Sequence, residues 1–114
     1  MATDFFLKQG DTAPPIVAVL KDASLAVVPL TAATSVRFLM SDKLSGVPAV
    51  NHLGTIVDAV NGKVSYQWQP GDSDIVSTYN GEWEIAWSDG TYETFPNSKY
   101  MTIKIVKDLG GTVG

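Results

Sequence analysis

The chain has 114 residues, enough for one domain with its own core and too few for two of ordinary size. Hydrophobic residues make up 45% and charged residues 18%, which excludes a disordered chain, and the absence of cysteine excludes both a disulfide framework and a thiolate metal site. A net charge of -4 with scattered basic residues argues against general binding to phosphate backbones, and no apolar run approaches the ~20 residues that span a bilayer.

The predicted elements are short and extended. The first runs from Asp4 to Gln9 and ends at Gly10-Asp11. Pro14-Pro15 forces extended backbone, because the residue before a proline is pushed out of the helical region. Ile16 to Leu20 is the second element, Lys21 to Ser24 a turn, and Leu25 to Leu30 the third, with Pro29 suited to an edge or a strand end. Leu30 to Ser35 has room for a single helical turn at most.

From Ser35 to Met40 the residues alternate, with Val36, Phe38 and Met40 on one face. Ser41 to Pro48 reads as a loop. Ala49 to Val60 reads as one less regular extended segment in which Gly54 marks a bulge or bend. Asn61-Gly62 is the sharpest turn signal, since both residues tolerate positive φ. Beyond it, Val64, Tyr66 and Trp68 form an inward row.

Pro70 to Asp74 is a turn-rich crossover. Tyr79 to Trp87 is the most regular strand: Trp83, Ile85 and Trp87 share one face, Glu82, Glu84 and Ala86 the other. Ser88-Asp89-Gly90 closes a hairpin to Tyr92–Phe95, Pro96-Asn97 breaks it, and Tyr100 to Val106 is last, with Met101, Ile103 and Ile105 inward. Seven to nine short strands at this spacing predict an all-β sandwich or barrel, with a domain over residues 1–107 and a short glycine-rich tail over 108–114.

Groups able to do chemistry are sparse. His52 is the single histidine, and no G-x-S-x-G elbow accompanies it. Asp72-Ser73-Asp74 lacks the later glycine and the bidentate glutamate of a calcium loop, and reads as a solvated turn capping Tyr79. Glu82 and Glu84 read as a solubilising face, with Glu93 near them across the hairpin. No glycine belongs to a phosphate-binding loop. The expectation is a chain that is not an enzyme and takes no cofactor or metal. A small hydrolase or isomerase using His52, Glu82 and Glu84 is the outside alternative.

Tyr79, entering its alternating strand behind Asp74, resembles the tyrosine corner of immunoglobulin-like sandwiches. The ordered set Phe6–Pro15, Val28–Met40, Gly62–Trp68, Tyr79–Ile85 and Thr94–Pro96 resembles the N-terminal domain of phage baseplate upper proteins and related immunoglobulin-like virion modules. The likeness runs from about Phe5 to Ile105. In that family the domain opens a longer chain with helical and docking parts; here the sequence given stops at Gly114.

The resemblance implies a non-catalytic structural protein, made in the host cytoplasm and carried in many copies on a virion. Its partners would be capsid, neck, tail or fibre proteins, with no nucleic acid bound and no membrane inserted. The termini are the expected docking elements. Phe5 and Phe6 are adjacent and cannot both face one core, so one of them is a contact candidate, as are Leu109 and Val113 in the tail. The alternative function is a carbohydrate- or host-surface-binding module, which needs an exposed face on Trp68, Trp83 or Trp87.

Overall fold

The computed structural model describes residues 4–97 and 99–109, which carry nine strands and no helix. In chain order these are β1 (Asp4–Lys8), β2 (Ile16–Val19), β3 (Ala33–Asp42), β4 (Pro48–Leu53), β5 (Thr55–Asp58), β6 (Lys63–Tyr66), β7 (Ser77–Trp87), β8 (Tyr92–Phe95) and β9 (Met101–Val106). Six of them form one sheet in the order β1-β9-β7-β3-β4, with β8 beside β9 along the same flank of β7; the other three form a second sheet, β2-β6-β5. The fold is an immunoglobulin-like β-sandwich, one of the two all-β architectures that the strand spacing allows and the one that the resemblance implies. Pairing is antiparallel throughout except for β1, which runs parallel to β9.

The alternating rows close the interior. Val36, Phe38 and Met40 of β3, Tyr79, Trp83 and Ile85 of β7, and Ile103 and Ile105 of β9 are buried on the inner face of the larger sheet. Val64 and Tyr66 of β6 meet them from the smaller sheet, with Trp68 just beyond. Phe38 is the hub: its ring lies 5.0 Å from Tyr66, 4.9 Å from Trp83 and 5.7 Å from Trp68. Aromatic pairs stacked, tilted or edge-on at such spacings each add about 0.5–1.5 kcal/mol beyond their burial. Trp83 is fully enclosed, so its loss to alanine costs about 3–5 kcal/mol.

Tyr79 forms the expected corner. Its hydroxyl donates to the Ile75 carbonyl four residues upstream at 2.6 Å, pinning the crossover to the start of β7. The carboxylate of the preceding loop serves a different tyrosine. Asp72 accepts from Tyr66 Oη at 2.5 Å and from the Gln69 backbone N–H at 2.8 Å, so the loop is tied to the smaller sheet and does not cap Tyr79.

Three further expectations are corrected. Leu25–Leu30 is not a strand: apart from one bridge between Lys21 and Val27, it closes a tight loop whose turn is held by Asp22, with Leu25 at φ 66°. Val28 N–H donates to the Leu20 carbonyl and Leu30 N–H to that of Ala59, so this segment's polar groups are met singly and not by a ladder.

Ala49–Val60 is two strands in different sheets. The chain changes sheet at Gly54, whose N–H still bonds the Val36 carbonyl while a Cβ there would come within 2.7 Å of the Ser65 carbonyl oxygen. The bend is therefore a sheet switch that only glycine fits without a shift.

Between β5 and β6 the turn spans residues 59–62, and of the Asn61-Gly62 pair only Gly62 adopts positive φ. Asp58 holds the turn instead, accepting from both the Asn61 N–H and its side-chain amide.

Candidate functional site

The contact residues expected at the N-terminus are separated by the pleat of β1. Phe5 faces inward and stacks on Trp68 with centroids 5.8 Å apart, so it serves the core. Phe6 faces out and is 58% exposed, with Lys104 Nζ 5.5 Å from its ring centroid. The same ammonium lies 3.9 Å from Asp4 Oδ2, an exposed pair worth little by itself. Phe6 is thus the apolar member of a small polar-rimmed patch on the outer face. Leu109, beyond β9, is almost wholly exposed. Val113 lies outside the described residues.

The free edges of the sandwich differ in how they are protected. Unpaired edge strands invite pairing with other chains, and prolines, bulges and charges are the usual defences. β4 begins at Pro48 and its register with β3 slips between Met40 and Ser41. The register of β5 with β6 slips between Ile56 and Asp58. β2 follows Pro14-Pro15, and β8 runs into Pro96. β1 has neither proline nor register shift along its five residues. Its free side is the longest edge without a register shift among the described strands, one residue longer than β2 and β8.

Two open hollows lie at one end of the sandwich. One, of about 340 Å3, sits between the β3–β4 loop and the crossover before β7, with Val47, Pro48, Ala49 and Ile75 in its wall beside Asp42 and Asp72. The other, about 240 Å3, lies on the outer face of the large sheet between Leu39, Glu82 and Tyr100. Burial pushes the Glu82 carboxyl above the ordinary glutamate range, and Glu84 two residues along adds to the rise. Glu93 is not part of this group: it registers opposite Ile85, on the other face of β7 from Glu82 and Glu84.

The remaining chemical candidates are dispersed. His52 is exposed on β4, its ring 6.3 Å from that of Tyr66 and nearly parallel to it. It registers opposite Phe38, on the inner face, whereas Glu82 and Glu84 face outward, so the three do not converge. Among the described residues there is no group of three or more His, Asp or Glu side chains placed to hold a metal ion. The Tyr66 phenol is driven far above its usual range, first by burial and then by Asp72, so it stays a donor.

Trp68 and Trp83 are buried and present no face to a sugar; Trp87 is half-buried. Trp68 Nε1 is the one buried side-chain polar atom among the described residues that lacks a hydrogen-bond partner. The exposed aromatic surface is supplied by Phe6, Tyr92 and Tyr100. Of these, Phe6 alone is one of the two residues that the sequence offers as an outward-facing candidate, through the adjacency of two phenylalanines on one strand. Tyr100 and Glu82 meet only because β9 begins beside Gly81, a register that no local pattern announces.

No protein-family model matches the chain, and no curated protein matches it. Among solved structures, CopC from Methylosinus trichosporium OB3b is similar with a TM-score of 0.55 and 8% sequence identity, over 93% of this chain and 86% of that one. At that identity the likeness shows a shared β-sandwich fold.

Proposed function

We propose that this chain is a non-catalytic structural module of a tailed-phage virion, which docks on neighbouring virion proteins and helps to position them. The observation that carries this reading is the ordered series of motifs from Phe5 to Ile105, whose likeness is to virion sandwich domains. The architecture is compatible with it. A β-sandwich presents edges and loop ends as its contact surfaces, and here exposed apolar side chains sit at such places: Phe6 on β1, Leu53 at the end of β4, Val47 and Ile75 beside the larger hollow, and Leu109. The acidic net charge favours contact with protein over packaged genome.

Quantitative mass spectrometry of purified particles tests the reading. The chain should appear at a fixed ratio to the major capsid or tail protein and survive stringent washing. Its absence from particles, with the protein recovered only in the soluble lysate, defeats the proposal.

A further inference from the structure

We propose that β1 pairs with β1 of a second copy of this chain, antiparallel and about a two-fold axis through Phe6, joining the two large sheets into one. This follows from the strand's own geometry and does not rest on the virion reading.

β1 is the terminal strand of the six-stranded sheet, so among the described residues one side of it is unpaired. Which groups face that side is set by the parallel ladder. Gln9 N–H donates to the Val106 carbonyl at 2.7 Å. Successive backbone groups point to alternate sides of a strand, so Leu7 and Phe5 also bond toward β9. Asp4, Phe6 and Lys8 therefore direct their N–H and C=O groups outward. In an antiparallel pair centred on Phe6, Asp4 lies opposite the partner's Lys8, and Phe6 opposite its own counterpart. These are the residues whose backbone groups face out, so every such position becomes a hydrogen-bonded pair. Phe6 exchanges both bonds with its counterpart, and each Lys8 N–H reaches the partner's Asp4 carbonyl. The Lys8 carbonyl already accepts from Asp11 N–H, so the strand pairing ends there.

The side chains agree with this register. Asp4, Phe6 and Lys8 share the outer face, so the pairing sets a carboxylate against an ammonium at both ends and ring against ring at the centre. Opposite charges and aromatic pairs directly across an antiparallel ladder are the stabilising combinations. Lys104 already holds Asp4 from its own sheet, so each carboxylate would lie between two ammonium groups. A shift of register by one residue would turn Phe6 against the buried row and lose both charge pairs. Of the other edges, β4 and β5 carry register slips and β2 and β8 are four-residue strands flanked by proline, which leaves β1 as the longest regular edge that a copy can extend.

Five paired residues span roughly 17 Å, and such a contact falls below the ~1,200 Å2 of a stable interface. Association is therefore weak, with a dissociation constant on the order of 100 µM, and is reached at high protein concentration or within an assembly.

Sedimentation equilibrium between about 5 µM and 1 mM reads it. The mass should rise from 12.2 kDa toward twice that value. In the same range the Phe6 and Lys8 amides should gain protection from hydrogen exchange, while Leu7, already bonded to β9, should not change. Lys8→Asp and Asp4→Lys each set like charges across the axis and should weaken self-association about tenfold. Mixed together, the two variants restore opposite charges at both ends and should associate with each other. Phe6→Lys, on the exposed face, should leave the fold intact by tryptophan fluorescence and remain a monomer. A mass fixed at 12.2 kDa throughout, or an association that ignores these charge changes and is not recovered by mixing, overturns the proposal.

Discussion

Gly81 offers a sharp test of how the core is packed. It lies on the inward row of β7 between Tyr79 and Trp83, opposite Met40 on one side and Met101 on the other. A Cβ built on it would overlap Ile103 Cδ1, and would stand 3.4 Å from Met101 Cε and 3.6 Å from Phe38 Cε1. Ile103 is fully enclosed, so its terminal methyl has no free space to enter. Overpacking of this kind costs about 1–3 kcal/mol, and replacing a strand glycine returns about 0.5–1. Gly81→Ala should therefore destabilise by about 1–2 kcal/mol. Ile103→Val removes the clashing methyl and alone should cost about 0.5–1.5 kcal/mol. In the double variant the new Cβ fills the space that Cδ1 vacates, so the total should fall below the larger of the two single costs. Urea unfolding followed by tryptophan fluorescence at 25 °C measures this, and the slope should stay constant if only stability changes. A Gly81→Ala protein as stable as the parent, or single costs that simply add in the double variant, would refute the packing argument.

Three other outcomes are expected. Tyr66→Phe removes the hydrogen bond to Asp72 and should cost about 1–2 kcal/mol, an effect that shrinks to below about 0.5 in an Asp72→Ala background by chemical denaturation. Glu82 is held above its ordinary value of 4.5 because its charged form is disfavoured in the fold, so the penalty is present at neutral pH and relieved as the pH falls through its folded pKa. Glu82→Gln should accordingly raise the urea midpoint slightly at pH 7 and leave it unchanged near pH 3, where the carboxyl is protonated in both states. Leu25 is exposed at φ 66°, a left-handed region where Cβ crowds the following carbonyl and which asparagine enters more readily; Leu25→Asn should stabilise by about 0.5–1 kcal/mol and lift the thermal midpoint by about 2–5 °C.

The sandwich was readable because alternation reports burial directly. The rows Val36-Phe38-Met40, Val64-Tyr66-Trp68 and Ile103-Ile105 are buried as their spacing predicts, and Trp87, near its strand's end, is half-buried. Alternation carries no information on which sheet a strand joins. Ala49–Val60 therefore looked continuous, although a close backbone approach at Gly54 splits it between sheets. Leu25–Leu30 had a strand's composition, but Asp22 offers its carboxylate to Ser24 and Ala26 N–H groups, and that local bond holds a turn. Tyr66 and Asp72 are six residues apart with a turn between them, a partnership that the corner at Tyr79 obscured. On the candidate surface, two neighbouring phenylalanines announced that one must face outward; the parallel register with β9 decided which, and that register joins opposite ends of the sequence.

That seam also governs how the polypeptide matures on the ribosome. β1 emerges first, yet its neighbour β9 lies about a hundred residues downstream, and translation at roughly 5–20 residues per second leaves it waiting for several seconds or more. During that interval the Phe5-Phe6-Leu7 segment lacks its β9 neighbour, so the nascent chain carries these three apolar residues without their seam until β9 has been made. Closure of the β1–β9 seam therefore has to wait for the last described strand, whatever the rest of the sandwich has already paired.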